Sequence, residues 1–159
     1  MPKITPNLWF DTRAEEAANL YVSIFPNSKI GTIARYSEAG AKAAGQPPGA
    51  VMTVTFELDG QPFMGLNGGP MFKFSEAVSF VVNCETQAEI DRYWEQLSSG
   101  GGQEGPCGWL KDRFGLSWQI VPTALGQLMK GPNAQQVMAA LLKMKKLDIA
   151  TLQQAAESA

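Results

Sequence analysis

Hydrophobic and polar positions along this chain follow two periods, and the two periods alternate in the same order twice. Apolar residues at every second position indicate a strand, and an apolar stripe at every third or fourth position indicates a helix. A strand predicted at residues 4–11 precedes a helix and then strands at 29–36, 50–58 and 61–67. The series starts again with a strand at residues 77–84. The pattern predicts an α+β fold of two tandem βαβββ modules, separated by a connector at residues 68–75.

The start of each predicted helix carries the same short signal. Thr12 is followed three residues later by Glu15, and Thr86 by Glu89. In such a capping box the hydroxyl accepts a backbone N–H, and the glutamate reaches back to the start of the helix. We therefore predict helices that begin at these two threonines. Their buried stripes are Ala17, Tyr21, Ile24 and Phe25 in the first and Ile90, Tyr93, Trp94 and Leu97 in the second.

Turn signals separate the predicted strands. Asp59 and Gly60 form a strong hairpin signal, and the small residues and prolines of residues 38–49 predict a mobile loop. A second tight turn is predicted at residues 112–115 (Asp-Arg-Phe-Gly), because Asp can bond its own backbone two residues on. In the strand after it, Trp118 and Ile120 are predicted to face the core, which leaves Gln119 on the opposite face.

The last part of the chain, residues 123–159, is predicted to be helical. Helices are expected at 123–129 and 133–147, with a break at Gly131 and Pro132, and residues 151–159 are expected either to form a short helix or to fray. An apolar stripe follows the middle helix and covers either the chain's own sheet or a partner subunit: Val137, Leu141, Met144 and Leu147. We predict a homodimer on this basis.

Composition narrows the function classes. The chain has 159 residues, 45% of them hydrophobic, a formal charge of −2 and no histidine. A long basic run, a membrane-length apolar run and a signal-peptide segment are all missing from the sequence, so we expect no nucleic-acid or membrane partner and a cytoplasmic location. The two cysteines, Cys84 and Cys107, fit buried structural thiols better than a disulfide framework.

Three stretches of the sequence carry a family resemblance: residues 4–11 (ITPNLWFD), 67–74 (NGGPMFKF) and 105–119 (GPCGWLKDRFGLSWQ). With the duplicated module, they resemble the PhnB-like group, described as 3-demethylubiquinone-9 3-methyltransferase, of the vicinal oxygen chelate superfamily. That superfamily includes glyoxalase I, bleomycin-resistance proteins and extradiol dioxygenases. The resemblance covers about residues 3–125 and implies modules at 3–67 and 76–122 whose curved sheets surround a shared cavity, often in homodimers.

The resemblance also implies positions for a metal. Metal-dependent members hold a divalent ion with His or Glu, and the pattern transfers these positions to Thr5, Gly65, Ser79 and Gln119. Glycine has no donor side chain, and hydroxyls and amides are weak ligands for transition metals, so we expect no metal. The methyltransferase description implies S-adenosylmethionine, but the glycines at 68–69 and 100–102 lead into loops and strands, so we expect no cofactor.

The sequence therefore predicts a protein that binds a small organic molecule of unknown identity in the inter-module cavity. The alternatives are an enzyme that polarises a carbonyl of an aromatic or quinone-like substrate through Gln119 and a hydroxyl, and a protein whose fold serves assembly alone. Trp9, Trp109, Phe72 and Phe74 form either an aromatic wall for a flat ligand or ordinary packing. The predicted cavity residues are Thr5, Asn7, Trp9, Gly65, Asn67, Ser79, Trp109 and Gln119.

Overall fold

The computed structural model describes residues 2–158 and contains two four-stranded sheets. The chain forms two compact units, one that ends at Phe74 and one that begins at Ser75. Each unit contains a strand, a helix and three further strands in this order, with an additional helix before the third strand of the first unit and helices after the last strand of the second. The predicted α+β fold of two βαβββ modules is confirmed. None of the helices within residues 2–158 combines the length and apolar character that a membrane span needs.

The first unit consists of one mixed sheet with a helix on one face. Its elements are β1 (Asn7–Phe10), α1 (Ala14–Ile24), β2 (Lys29–Arg35), α2 (Glu38–Ala44), β3 (Val51–Leu58) and β4 (Gln61–Asn67). The sheet order is β1-β4-β3-β2, with β1 and β4 parallel and the other pairs antiparallel. Alternate side chains of β3, such as Val54 and Phe56, are buried on the face that receives α1, where Tyr21 lies against Phe56.

The hairpin between β3 and β4 has the turn that its sequence predicts. Asp59 and Gly60 both adopt positive φ angles, 48° and 79°, which a two-residue hairpin of this twist requires. Asp tolerates this conformation and Gly adopts it without cost. The turn fixes the register, in which Leu58 pairs with Gln61.

The start of α1 differs from the prediction. The N-cap is Arg13, and it makes no side-chain capping bond, so the capping box predicted at Thr12 is wrong. The backbone N–H of Ala14 instead donates to Oδ1 of Asn67, at 2.8 Å. Asn67 is buried at the end of β4, 53 residues further along the chain, and it supplies the acceptor that a local residue supplies in most helices.

The loop predicted at residues 38–49 contains a helix. Ser37 caps α2 by accepting the N–H of Gly40, Glu38 lies in the first turn and Lys42 in the last, and Gly45 ends the helix in the left-handed conformation. These are standard start and stop signals, and alanine is the strongest helix former. The prediction of a loop was wrong because the helix propensity of the alanines in residues 38–44 outweighs that of the single glycine among them.

The second unit repeats the first sheet. Its strands are β5 (Ser79–Cys84), β6 (Gln103–Glu104), β7 (Trp109–Lys111) and β8 (Ser117–Pro122), in the order β5-β8-β7-β6, with β5 parallel to β8. Helix α3 (Gln87–Ser98) begins as predicted: Thr86 accepts the N–H of Glu89, and the Glu89 side chain accepts the N–H of Glu85. All four residues of the predicted stripe of α3 are buried.

The C-terminal segment folds into three short helices: α4 (Leu125–Leu128), α5 (Ala134–Leu141) and α6 (Ile149–Glu157). The helix predicted at 133–147 is therefore wrong in length, since it ends at Leu141, and the last predicted helical residue lies outside the described part of the chain. Val137 and Leu147 are fully buried against Leu152 of α6, with Leu141 and Met144 packed around them. The apolar stripe therefore packs into a small core within the C-terminal segment itself.

Candidate functional site

The second sheet has one face covered by α3 and one face turned away from it, called here the outer face. Alternation along β8 buries Trp118 and Ile120 on the helix side, as the sequence predicted. Gln119 therefore lies on the outer face, where its neighbours on the adjacent strands are Val81 and Trp109. Two of the predicted cavity residues, Trp109 and Gln119, are thus direct cross-strand neighbours.

Gln119 and Ser79 form a hydrogen-bonded pair on this face. The Nε2 amide of Gln119 donates to the hydroxyl of Ser79 at 3.0 Å, and both side chains are partly buried. The contact leaves the second Nε2 hydrogen of Gln119 and the hydroxyl hydrogen of Ser79 to donate, and the amide oxygen of Gln119 to accept. A polar, uncharged pair of this kind can hold a group that both donates and accepts hydrogen bonds.

Asp112 holds the turn that positions β8. One carboxylate oxygen accepts the N–H groups of Phe114 and Leu116 at 2.8 and 3.1 Å, and the other accepts Nε1 of Trp118 at 2.9 Å. The sequence predicted the first of these contacts. It did not reveal the bond to Trp118, which is six residues away and approaches only when β7 and β8 pair.

Of the predicted cavity residues in and before β1, Trp9 contacts the connector that follows β4. Nε1 of Trp9 donates to the carbonyl of Gly69 at 2.9 Å, and its ring meets the edge of Phe72 at a centroid distance of 4.9 Å. Asn7 is exposed on the same face of β1. Thr5 precedes the strand and lines a pocket of about 400 Å³ in the first unit, beside Met64.

Gly65 and Asn67 lie on the helix side of the first sheet. A Cβ at Gly65 would lie 3.2 Å from that of Ala14, so this residue faces α1, and the outward side chains of β4 are Met64 and Leu66. Both amide atoms of Asn67 have partners, since Oδ1 accepts Ala14 N–H and Nδ2 donates to the Val51 carbonyl at 3.1 Å. The structure assigns these two predicted cavity residues to packing and capping.

A smaller pocket of about 150 Å³ lies at the β6–β7 edge of the second sheet. Trp109, Lys111 and Ser117 line it, and the Lys111 ammonium forms an ion pair with the carboxylate of Glu76. The hydrogen bond from Lys111 is the largest cause that lowers the pKa of Glu76, so this carboxylate stays charged at a lower pH than a free glutamate. Sequence reasoning did not single out Glu76, because it lies on a turn with no neighbouring chemical motif.

Comparison with known protein families shows to which family the chain belongs. A family model described as 3-demethylubiquinone-9 3-methyltransferase matches residues 2–121. The chain belongs to this family. Family members share the fold of the vicinal oxygen chelate superfamily, so the resemblance in the sequence is confirmed.

Solved structures agree with the family assignment. A PhnB protein of this family from Bacillus cereus is 37% identical, with a TM-score of 0.66, over 77% of this chain and all of that one. A protein from Pseudomonas aeruginosa is 18% identical with a TM-score of 0.61, over 77% of this chain and 98% of that one, and shows the fold alone. The same holds for a fosfomycin resistance protein from Listeria monocytogenes, at 13% identity and a TM-score of 0.53, over 80% and 97% of the two chains. No curated protein matches the sequence.

The family match stops at the end of β8, so the C-terminal helices lie outside it. The segment between α5 and α6 is attached to the family fold by backbone hydrogen bonds from the N–H of Cys107 to the carbonyl of Met144 and from the N–H of Gly108 to the carbonyl of Lys145, both 2.8 Å. The amide of Gln87 adds two more, since it donates to the carbonyl of Leu147 and accepts the N–H of Ile149. The segment is thus fastened to α3 and to the loop before β7.

A divalent metal, which other superfamily members hold, does not fit the residues present. Gly65 has no donor atom and faces α1, and the neutral side chains of Ser79 and Gln119 bond each other. Within residues 2–158, no group of three or more Cys, Asp or Glu residues could surround an ion. The donor set of this site suits an uncharged organic group better than a cation.

The two cysteines are both free thiols. Burial, and to a smaller extent the charge of Glu89, raises the pKa of Cys84 to about 11, with a partial opposing effect from Arg92. Cys84 is therefore an inert, protonated thiol of the core, as predicted for a structural cysteine. Cys107 is half-buried, with a positive φ of 59°, beside the C-terminal segment.

Proposed function

We propose that this protein binds a small organic molecule with a neutral carbonyl or amide group at the outer face of its second sheet. The hydrogen-bonded pair of Gln119 and Ser79 is the observation that supports the proposal. Both groups are half-buried and keep further hydrogen-bonding capacity beyond this contact, so a ligand carbonyl can accept from one while a ligand N–H donates to the other. Trp109, the cross-strand neighbour of Gln119, offers a flat apolar surface for the rest of the molecule.

The binding is proposed without a metal and without a cofactor. The donor chemistry at the transferred metal positions supports the first part. The second part rests on the glycines of the connector and of the turn before β6, which do not form the strand-to-helix phosphate loop of a doubly wound sheet. Within residues 2–158, the methyl transfer named by the family description therefore lacks the glycine loop that would bind its donor.

A second candidate is catalysis on a small aromatic or quinone-like substrate at the same residues. Gln119 and Ser79 lie close enough to donate to one carbonyl oxygen and so polarise it. The chain contains no histidine, so a proton would have to pass through a carboxylate, lysine or water. Recovery of an unmodified molecule from the purified protein favours binding, and recovery of two related molecules favours turnover.

The test uses 1,4-naphthoquinone as a carbonyl probe and naphthalene as its matched control, with affinities from calorimetry or chemical-shift titration. Gln119→Ala should weaken naphthoquinone binding by about 1–3 kcal/mol, because the probe's carbonyl loses its donor. Asn83→Ala is the control variant, since Asn83 is exposed on the same face of the sheet, on the adjacent strand β5. Equal affinity of both probes, or an unchanged affinity in Gln119→Ala, would overturn the proposal.

The homodimer and the cytoplasmic location stay predictions. The apolar stripe that motivated the dimer packs within its own C-terminal segment, so a dimer would need another surface. Light scattering at micromolar concentration would measure the mass directly, and a mass of one subunit would refute it.

A further inference from the structure

The small pocket at the β6–β7 edge contains a buried hydroxyl that has no hydrogen-bond partner. Ser117 is 1% exposed, and its Oγ is unpartnered. Buried hydroxyls without partners are uncommon, because the lost hydration is not replaced. Ser117 also lines the pocket, so the missing partner can come from a molecule in it.

The side chain of Lys111 supplies a cationic group beside that hydroxyl in the same pocket. Lys111 is the cross-strand neighbour of Ser117, so the two side chains leave the sheet on the same face. The Lys111 ammonium is bound by the carboxylate of Glu76, which belongs to the turn before β5. Glu76 is more exposed than Lys111, with side-chain exposures of 60% and 39%, so it is the partner that can leave.

The remaining wall is mixed and of limited size. Trp109 and Pro106 contribute rings, Gln103 adds a polar side chain, and the volume of about 150 Å³ equals roughly five water molecules at ~30 Å³ each. Glu104 also lines the pocket, but its carboxylate accepts Nε1 of Trp94 at 2.6 Å. The space admits one small ring with one polar group.

We propose that this pocket binds a small aromatic carboxylate, which replaces Glu76 at Lys111 and accepts a hydrogen bond from the hydroxyl of Ser117. A carboxylate has two acceptor oxygens, and the pocket offers it two donors on neighbouring strands. Glu76 is then an internal stand-in that keeps Lys111 paired when the pocket is empty. The inference rests on the proposed function in one respect, because Trp109, Lys111 and Ser117 lie on the same outer face as Gln119.

The test titrates benzoate, with benzyl alcohol and benzylamine as neutral and cationic controls, into the whole chain labelled for NMR. We expect benzoate alone to shift the amide signals of Ser117 and Lys111. Lys111→Met should weaken benzoate by about tenfold or more, and Ser117→Ala by roughly three- to tenfold. Glu76→Gln should tighten it by about threefold, because the competing carboxylate is gone. Lys29→Met, in the first unit, should change nothing.

A stability measurement separates binding from a structural role. Because the Ser117 hydroxyl has no partner, Ser117→Ala should keep or raise the melting temperature of the free protein. A clear loss of stability, tighter binding of benzylamine than of benzoate, or equal benzoate affinity in the parent protein and Lys111→Met would each overturn the inference.

The two proposals can fail separately. If naphthoquinone affinity depends on Gln119 while benzoate affinity is unchanged by the Lys111 and Ser117 substitutions, the inference fails and the proposed function stands. If benzoate depends on those two residues while Gln119→Ala leaves naphthoquinone binding unchanged, the reverse holds.

Discussion

Replacement of Asn67 by Ala should destabilise the first unit far more than removal of the local threonine at the start of α1. Asn67 is 5% exposed and joins three parts of the unit. Its Oδ1 accepts the N–H of Ala14, its Nδ2 donates to the carbonyl of Val51, and its own carbonyl accepts the hydroxyl of Tyr36 at 2.5 Å. The substitution removes the first two contacts and leaves the third, which involves the backbone.

The magnitude follows from the two lost contacts. Loss of the acceptor at a helix N-terminus costs about 0.5–2 kcal/mol. The Val51 carbonyl, left partly buried without its donor, adds about 1–2 kcal/mol. We expect Asn67→Ala to lower the free energy of unfolding by about 1.5–4 kcal/mol, or the melting temperature by about 3–15 °C in a chain of this size. Thr12→Ala should cost less than about 0.5 kcal/mol, because Thr12 is exposed and makes no capping bond.

Guanidinium unfolding followed by far-ultraviolet circular dichroism measures both variants. The slope of the free energy with denaturant should stay constant, since the extent of unfolding does not change. Equal losses in the two variants would refute the reasoning, because α1 would then be capped by the threonine. A loss below about 0.5 kcal/mol in Asn67→Ala would refute it as well.

Three further substitutions test other contacts. Asp112→Ala should cost about 3–6 kcal/mol in denaturant unfolding, because it removes three hydrogen bonds, including the acceptor of the Trp118 indole. Cys84 has a pKa raised from 9.0 to about 11, so its contribution to stability is complete below pH 9 and declines as the pH rises to about 11. In Cys84→Ala the measured decline over that window should be shallower than in the parent protein. Gly68→Ala should displace the Trp9 indole, which an added Cβ would overlap, and should cost about 1–3 kcal/mol with a changed near-ultraviolet circular dichroism signal.

Each of these expectations has a contradicting result. A cost below about 1 kcal/mol for Asp112→Ala would show that other groups satisfy the turn. Identical alkaline slopes with and without Cys84 would contradict its raised pKa. Gly126→Ala, where an added Cβ meets open space, is the control for Gly68→Ala, and equal effects would contradict the close approach of Trp9.

The sequence predicted those features whose causes lie within a few residues. The hairpin at Asp59 and Gly60 depends on two φ angles, and the cap of α3 depends on residues 85–89, so both were found. The faces of β8 followed from alternation, which correctly placed Gln119 opposite Trp118. The repeated order of strand and helix, together with the family resemblance, then supplied the duplicated topology.

The features that the sequence did not predict depend on contacts between distant residues or on the balance of weak signals. The partner of Ala14 is 53 residues away, so Thr12 looked like a cap when it was not. The pairing of Lys111 with Glu76 spans the turn before β5 and has no motif. The end of α5 at Leu141 was missed because the apolar stripe continues to Leu147, which reaches the same small core from a non-helical segment.

The contrast between the two helix starts has a consequence for the order of folding. Both capping bonds of helix α3 lie within residues 85–89, so they can form before any strand has paired. Helix α1 gains its acceptor only after β4 has reached its final place, which closes a loop of 53 residues. In pulse-labelling hydrogen exchange during refolding, the amide of Glu89 should therefore be protected earlier than that of Ala14. The two modules share a topology, but the cap of α3 forms between neighbouring residues and the cap of α1 forms between residues 53 positions apart.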